Sequence, residues 1–172
     1  MTTQNRLWCA SGVAGFIIIA GVLSFLLGLT GPNLWGGGAA DRGTDELHSI
    51  VVKSGGRPSD EDLLRCESKF PKTRTAALAR FLRGYVHFSS KDYDGAIAAF
   101  DAPATTASRI GDYALYYRAQ SEAAAGRPTE ALRDYKALSS RFPESLMVHE
   151  SMIDAARASI STGDSQAAIK LL

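Results

Sequence analysis

The stretch "GDYALYYRAQSEAAAGRPTEA" at residues 111–131 decides the fold. Its apolar and small residues recur at spacings of three and four, which is the period of an α-helix. Gly126 suits the left-handed position just beyond a helix end, and Pro128 suits the first turn of the next helix. The stretch therefore predicts two helices joined by a tight turn, with alanines where the two helices cross closely.

The chain repeats this helix pair. Residues 69–100, "KFPKTRTAALARFLRGYVHFSSKDYDGAIAAF", align without a gap on residues 141–172, "RFPESLMVHESMIDAARASISTGDSQAAIKLL". The offset of 72 residues equals two units of 36, and residues from 111 onward fill the unit between. Such periods are typical of stacked helix pairs, in which each pair buries its apolar face against its neighbours. We therefore predict an all-α fold of antiparallel helix-pair repeats over residues 59–172.

The aromatic residues of the repeats allow two interpretations. Tyr113, Tyr116 and Tyr117 lie close together in the sequence. They either fill the spaces between stacked helices or line a groove that contacts a ligand. We favour packing, because neighbouring units need large side chains between them.

The repeat pattern resembles the tetratricopeptide repeat. The shared features are a small residue in the first helix, alanine and an aromatic residue in the second, and a proline at the end. The matching residues are Gly84, Tyr93, Ala96 and Phe100 in one unit, Ala119, Gly126, Ala131, Tyr135 and Pro143 in the next, and Ala156, Gly163 and Ala168 in the third. The tryptophan expected in the first helix is missing, and the spacing exceeds the usual period of about 34 residues. The resemblance implies a TPR-like α-solenoid.

A narrower resemblance depends on three motifs that follow one another in residues 110–147: "IGDYALYYRAQ", "GRPTEAL" and "RFPESLM". In this order they resemble the superhelical N-terminal domain of soluble lytic murein transglycosylases. The resemblance implies a protein that positions peptidoglycan, or one that presents a C-terminal lysozyme-like domain that this sequence does not contain. The alternative is a non-enzymatic scaffold for protein–protein interactions in the cell envelope. The last residues, "AAIKLL", fall within a helix, and we expect the chain to be truncated there.

The amino-terminal part of the chain is apolar. No charged residue occurs between Leu7 and Ala40, and about 25 of these residues are long enough to cross a hydrocarbon core of ~30 Å as a helix. We predict a transmembrane signal anchor over residues 1–30 and a flexible linker over residues 31–58, in which "ELHSIVV" at residues 46–52 is the one short piece expected to be ordered. The alternative is a signal peptide cleaved after Ala40. A slight excess of basic charge before the span predicts a single-pass protein of the bacterial inner membrane, with the repeat domain in the periplasm.

No catalytic, cofactor-binding or metal-binding residue is predicted. Glu150 and Ser151 resemble the catalytic Glu-Ser pair of the transglycosylases, but the repeat alignment places Glu150 in an ordinary helix. His149 and Glu150 also begin like a zinc-protease helix, yet position 153 is Ile rather than the second His. If the full-length protein is an enzyme, its active site is therefore expected outside this sequence.

The charges and the last helix bear on the partners. The net charge is +1, with 19 basic and 18 acidic residues and no basic stripe, so nucleic acid is not an expected partner. We expect the membrane and either peptidoglycan or an envelope protein instead. Ile169, Leu171 and Leu172 have no following helix to cover them, which predicts weak self-association.

Five basic residues are predicted on solvated helix faces, with a surface for anionic glycan or peptide as the alternative: Arg80, Arg83, Arg118, Lys136 and Arg141.

Overall fold

The computed structural model describes residues 42–102, 105 and 109–172, and these residues form eight α-helices with no β-strand. The all-α prediction is therefore confirmed for the described residues. The helices are α1 (Arg42–Lys53), α2 (Asp60–Lys69), α3 (Arg74–Ser89), α4 (Tyr93–Phe100), α5 (Gly111–Ala124), α6 (Pro128–Arg141), α7 (Val148–Ser161) and α8 (Ser165–Leu171).

Six of the helices form three consecutive pairs. Unit 1 consists of α3 and α4, unit 2 of α5 and α6, and unit 3 of α7 and α8. The first helices of the units end at Ser89, Ala124 and Ser161, so successive units are offset by 35 and 37 residues. Units 1 and 3 are thus 72 residues apart, and the ungapped alignment of the sequence is confirmed by the helix ends.

The turns inside the three units share one geometry. Lys91, Gly126 and Gly163 stand at the same place in these turns and have positive φ angles of 64°, 77° and 83°. In units 1 and 3 an aspartate follows and caps the second helix: the carboxylates of Asp92 and Asp164 accept hydrogen bonds from backbone N–H groups three residues on. The left-handed position predicted for Gly126 is confirmed.

The segment before unit 1 is more ordered than predicted. A flexible linker with one short ordered piece at residues 46–52 was expected over residues 31–58, and residues 42–53 form α1, which packs against α2 and α3. Leu47 is fully buried, and Ile50 and Val51 pack beside it in the core. Their spacing of three and four residues is a short helical stripe, which the surrounding glycines and polar residues obscure in the sequence.

The predicted signal anchor over residues 1–30 lies outside the described residues. Within the part of the chain that the structure describes, no helix is both long and apolar enough to span a bilayer.

The final helix exposes part of its apolar surface. Ile169 is 74% exposed and Leu172 is 82% exposed, in agreement with the prediction that no following helix covers them. Leu171 differs, because it is partly buried against the core shared by units 2 and 3. The uncovered surface on α8 is therefore smaller than the sequence predicts.

Candidate functional site

Aromatic rings fill the interface between units 1 and 2, which we call the first interface. Tyr117 of α5 lies at its centre, with its ring centroid 5.4 Å from that of Tyr85 and 5.5 Å from that of Phe88. Its ring also stacks on Phe100 at 6.0 Å, with 23° between the planes. Burial raises the pKa of Tyr117 to about 12. The interpretation of these tyrosines as packing residues is confirmed for Tyr117.

The interface between units 2 and 3, which we call the second interface, has different residues at the same repeat positions. The helix offsets of 35 and 37 residues define these positions. The aromatic residues of the first interface are Phe81, Tyr85, Phe88, Tyr93, Phe100 and Tyr117. Their counterparts in the second interface are, in the same order, Tyr116, Gln120, Ala123, Pro128, Tyr135 and Asp154. Four of the six rings are thus replaced by a smaller or a polar side chain.

One pair of rings is retained and verifies the correspondence. Phe81 and Phe100 are 5.6 Å apart with 57° between their planes. Their counterparts Tyr116 and Tyr135 are 6.2 Å apart with 56° between their planes. Because the two pairs have nearly the same geometry, the two helices within unit 1 pack against each other as the two helices within unit 2 do.

An open groove of about 380 Å³ lies at the second interface. Five of the six counterpart residues line it, together with Gly126, Arg157, Ala158 and Ser161. The groove occupies the positions whose equivalents hold rings in the first interface. The loss of aromatic side chains at these positions therefore accounts for the groove.

A network of hydrogen bonds fixes one wall of the groove. The Asp154 carboxylate accepts hydrogen bonds from the Tyr116 hydroxyl (3.2 Å), from Gln120 Nε2 (2.6 Å) and from Arg157 Nη1 (2.7 Å). Asp154 is 9% exposed, whereas the side chain of Arg157 is 70% exposed at the rim of the groove. The network connects α5 to α7 and holds a carboxylate where the first interface has the Tyr117 ring.

The hydroxyl of Tyr135 lacks a hydrogen-bond partner. Tyr135 is only 2% exposed and lines the groove, yet none of the described residues bonds to its hydroxyl. Burial, and next the nearby Asp154 carboxylate, raise the pKa of Tyr135 above its usual range. The buried side-chain polar atoms without a partner do not include this hydroxyl, so it is open to solvent in the groove. It is therefore accessible to a molecule that enters the groove.

A second buried polar cluster lies on the other side of α5. Glu122 and Asp134 are buried, and Arg118 donates hydrogen bonds to Asp134 and Asp101. The Oε2 atom of Glu122 is buried and has no hydrogen-bond partner. Burial, and secondly the charge of Asp134, raise the pKa of Glu122 to about 7. Because its charges are buried, this cluster is expected to affect the stability of unit 2.

Three of the arginines predicted on solvated faces instead form ion pairs between helices. Arg83 binds Asp60 at 2.8 Å and Glu67 at 3.1 Å, and Arg80 also binds Glu67. Arg118 is largely buried in its pairs with Asp134 and Asp101. These pairs join residues far apart in the sequence, so the sequence gives no local signal for them. Of the five, Lys136 and Arg141 are exposed as predicted.

The residues that resembled catalytic or metal motifs lie apart from the groove. His149 and Glu150 are exposed near the start of α7. Another histidine, His87, lies beside the turn of unit 1, where its ring nitrogens hydrogen-bond to the carboxylates of Asp92 at 2.7 Å and Asp60 at 3.1 Å. Among the described residues, no group of three His, Cys, Asp or Glu side chains is placed to hold a metal ion.

Sequence reasoning singled out Tyr116 and Tyr135 as packing residues but missed the groove. The signal was available in the repeat alignment, because Asp154 occupies the position of Tyr117 and Ala123 that of Phe88. A charged or small residue at a position that is aromatic in the previous unit indicates an opening in the stack.

Comparisons with known proteins agree with the repeat architecture. Two family models described as tetratricopeptide repeat match the chain, one over residues 72–108 and the other over residues 113–145. A comparison with curated proteins gives no match. The first match contains both helices of unit 1 and the second contains nearly all of unit 2. The chain therefore carries tetratricopeptide-like helical repeats.

Proposed function

We propose that the chain is a helical-repeat scaffold that binds a segment of a partner protein in the groove of the second interface. Tetratricopeptide repeats generally mediate binding of protein partners, and two such models match units 1 and 2. The observation that carries the proposal is the open groove itself, which is lined by Tyr135, whose hydroxyl has no hydrogen-bond partner among the described residues.

The groove suits binding because it exists before the partner arrives. Its walls belong to α5, α6 and α7, and the network around Asp154 fixes the polar side chains. A binding site that is already ordered does not lose conformational entropy when it is occupied. The groove combines apolar surface with polar groups held in place, which can fix the orientation of a bound segment.

Site-specific photo-crosslinking in cells tests the proposal. A photoreactive amino acid replaces Ser161 at the rim of the groove, and the matched control places it at Ser140, which is exposed on α6. We expect discrete adducts from position 161 but not from position 140. Each adduct is identified by mass spectrometry, and the purified partner is then titrated with the full chain. The same adducts at both positions would contradict the proposal.

We further propose that residues 1–30 anchor the scaffold in the bacterial inner membrane, with the repeats in the periplasm. Support comes from the sequence, which has no charged residue from Leu7 to Ala40. We expect the full chain to stay in the membrane fraction after alkaline carbonate extraction. Replacing Ile18 and Leu23 by Arg should release it, because each charge costs about 2.5–3.5 kcal/mol at the centre of a span. Unchanged fractionation of this variant would contradict the anchor.

The motifs at residues 110–147 support a second candidate function, which is the positioning of peptidoglycan or of a lysozyme-like domain. These motifs resemble the helical domain of soluble lytic murein transglycosylases. We expect the full chain to sediment with purified cell-wall sacculi under this second function. Failure to sediment would exclude it and would leave the protein-binding function unaffected.

A further inference from the structure

We propose that the groove of the second interface is a socket for a partner's aromatic side chain that carries a hydrogen-bond donor, which means a tyrosine or a tryptophan. This inference rests on the proposed function, since it specifies the chemistry of the partner segment. It follows from three observations. Aromatic rings fill the equivalent positions of the first interface, hydrogen-bonding groups lie on the walls of the groove, and the two charged residues of the groove are paired with each other.

The first interface shows what fills such a groove. There, the Tyr117 ring stacks on Phe100 and lies close to Phe88. In the second interface Tyr135 replaces Phe100, but Asp154 replaces the ring that stacks on it. In the first interface, the position equivalent to the space beside Tyr135 is occupied by the planar ring of Tyr117. A ring supplied by another protein would restore the same packing.

The size of the groove agrees with such an occupant. Its volume is about 380 Å³. Pockets that hold small molecules are typically about 300–1,000 Å³. The groove is thus at the small end of this range, large enough to admit one aromatic side chain and too small for a folded domain.

The hydrogen-bonding groups on the walls favour a donor on the ring. Asp154 presents carboxylate oxygens to the groove, and the Tyr135 hydroxyl needs a partner. An indole N–H or a phenol O–H at the ring edge can donate to either oxygen. Phenylalanine would fill the space but leave the Tyr135 hydroxyl without a bond, which carries an energetic cost.

The charges favour a neutral side chain. The groove has one acidic and one basic lining residue, and these are paired, since Arg157 Nη1 lies 2.7 Å from Asp154 Oδ1. A lysine, arginine, aspartate or glutamate from the partner would have to compete with this pair and lose its own hydration. A tyrosine or tryptophan side chain has no such cost.

Titration of amino-acid amides into the isotopically labelled full chain, followed by NMR, tests the proposal. The probes are the N-acetyl amides of tryptophan, tyrosine, phenylalanine and leucine. We expect saturable binding of the first two, with shifts confined to residues 120–128, 135 and 154–161. Phenylalanine amide should bind at least threefold more weakly, and leucine amide should not saturate. Binding of leucine amide as tight as that of tryptophan amide would overturn the socket.

Two variants show whether the ring enters this groove. Ala123→Phe restores the ring found at Phe88 and should reduce binding of tryptophan amide at least tenfold. Ala124→Phe is the matched control, because Ala124 is also exposed on α5 but does not line the groove. Both variants should keep the unfolding midpoint of the native chain. Equal binding by the two variants would overturn the proposal.

Removal of the Tyr135 hydroxyl tests whether it bonds to the hydrogen-bond donor of the bound ring. Tyr135→Phe keeps the ring and deletes the hydroxyl. We expect the advantage of tyrosine amide over phenylalanine amide to fall by more than half, while the location of the shifts stays the same. An unchanged advantage would show that this hydroxyl is not a contact and would overturn its part in the socket.

The outcomes separate the socket from the scaffold function. If Ser161 crosslinks to a partner whose binding is insensitive to Ala123→Phe, the scaffold function stands and the socket is wrong. If the aromatic amides saturate the groove but no partner crosslinks, the preference of the groove for aromatic side chains stands, and the proposed binding of a partner protein is wrong.

Discussion

The first and second interfaces use the same repeat positions in different ways. In the first, rings from units 1 and 2 interlock around Tyr117. In the second, Asp154 stands in the place of that ring, and an open groove follows from the smaller side chains. The two helices within each of units 1 and 2 nevertheless pack alike, as the retained ring pair shows. A helical repeat can therefore exchange packing rings for an open groove and keep the packing of its helix pair.

The second interface replaces ring contacts with a few hydrogen bonds and a small apolar core. Asp154 connects α7 to Tyr116 and Gln120 of α5. Ala131, Leu138 and other buried residues form the apolar core below the network. Hydrogen bonds to a charged group contribute about 1.5–3 kcal/mol each. The network can thus offset part of the hydrophobic stabilisation that the missing rings would provide.

The largest difference in the free energy of unfolding is expected between substitutions at two equivalent positions, Phe100 in unit 1 and Leu172 in unit 3. Phe100 is fully buried in the first interface, and Leu172 at the equivalent position of unit 3 is 82% exposed. Phe100→Ala should lower the free energy of unfolding by about 3–5 kcal/mol, because it removes a buried ring and leaves a cavity. Leu172→Ala should change it by less than about 0.5 kcal/mol. Urea unfolding measures both, and similar losses would contradict the comparison.

The hydrogen-bond network gives the next largest effect. Asp154→Ala removes the acceptor and leaves the buried Tyr116 hydroxyl with fewer partners, so we expect a loss of about 1–3 kcal/mol in the free energy of unfolding. Asp154→Asn keeps the shape and one acceptor oxygen, and should lose less than half as much. Urea unfolding of the two variants at neutral pH measures the difference. If Asp154→Ala is as stable as the native chain, the network does not hold the second interface together.

The sequence predicted most of the fold, because helix pairs have a local signal. In unit 2, the helices were predicted from apolar residues spaced three and four apart, and the turn between them from Gly126 and Pro128. The register of units 1 and 3 was predicted from the 72-residue offset between their sequences. Of the helix at residues 42–53, only residues 46–52 were expected to be ordered, because its short apolar stripe lies among polar residues and glycines. Its burial depends on contact with α2 and α3, which no local pattern reveals.

The candidate site was harder to predict, because it depends on what neighbouring units place together. Arg83 and Asp60 are 23 residues apart, and Asp154 and Tyr116 are 38 apart, so neither pair has a helical spacing. The groove is different in kind. Comparison of Ala123 with Phe88 and of Asp154 with Tyr117 would have indicated missing rings from the sequence alone.

A pH-dependent effect is expected from the buried cluster of unit 2. Burial and then Asp134 raise the pKa of Glu122 to about 7; Arg118 and Arg133 oppose the shift, and Glu130 adds to it. The folded state thus retains a proton that the unfolded chain releases at lower pH. Its stabilising contribution is complete below the unfolded pKa of 4.5 and is lost as the pH rises to about 7.

Glu122→Gln tests this effect. The variant should lose the decline in stability between these pH values, and at pH 8 it should exceed the native chain by about 1–2 kcal/mol, since no buried charge remains. Urea unfolding at half-unit pH steps measures both curves. A native chain whose stability does not fall over this range, or a variant that keeps the fall, would show that Glu122 does not titrate as its surroundings indicate.

The smallest effects are expected in the turns, where units 1 and 3 have different residues at the left-handed position. Lys91 has a φ of 64° and Gly163 a φ of 83° at the same repeat position. A left-handed residue other than glycine costs about 1–2 kcal/mol, and glycine loses about 0.5–1 kcal/mol of additional chain entropy on folding. Lys91→Gly should therefore raise the free energy of unfolding by about 0.5–1 kcal/mol. Gly163→Ala should lower it by a similar amount, and this loss comes from the backbone alone, because nothing lies within 4 Å of the added Cβ. The urea midpoints of the two variants should thus move in opposite directions. A shift in the same direction would mean that the two turns are not equivalent and that the repeat register fails at this position.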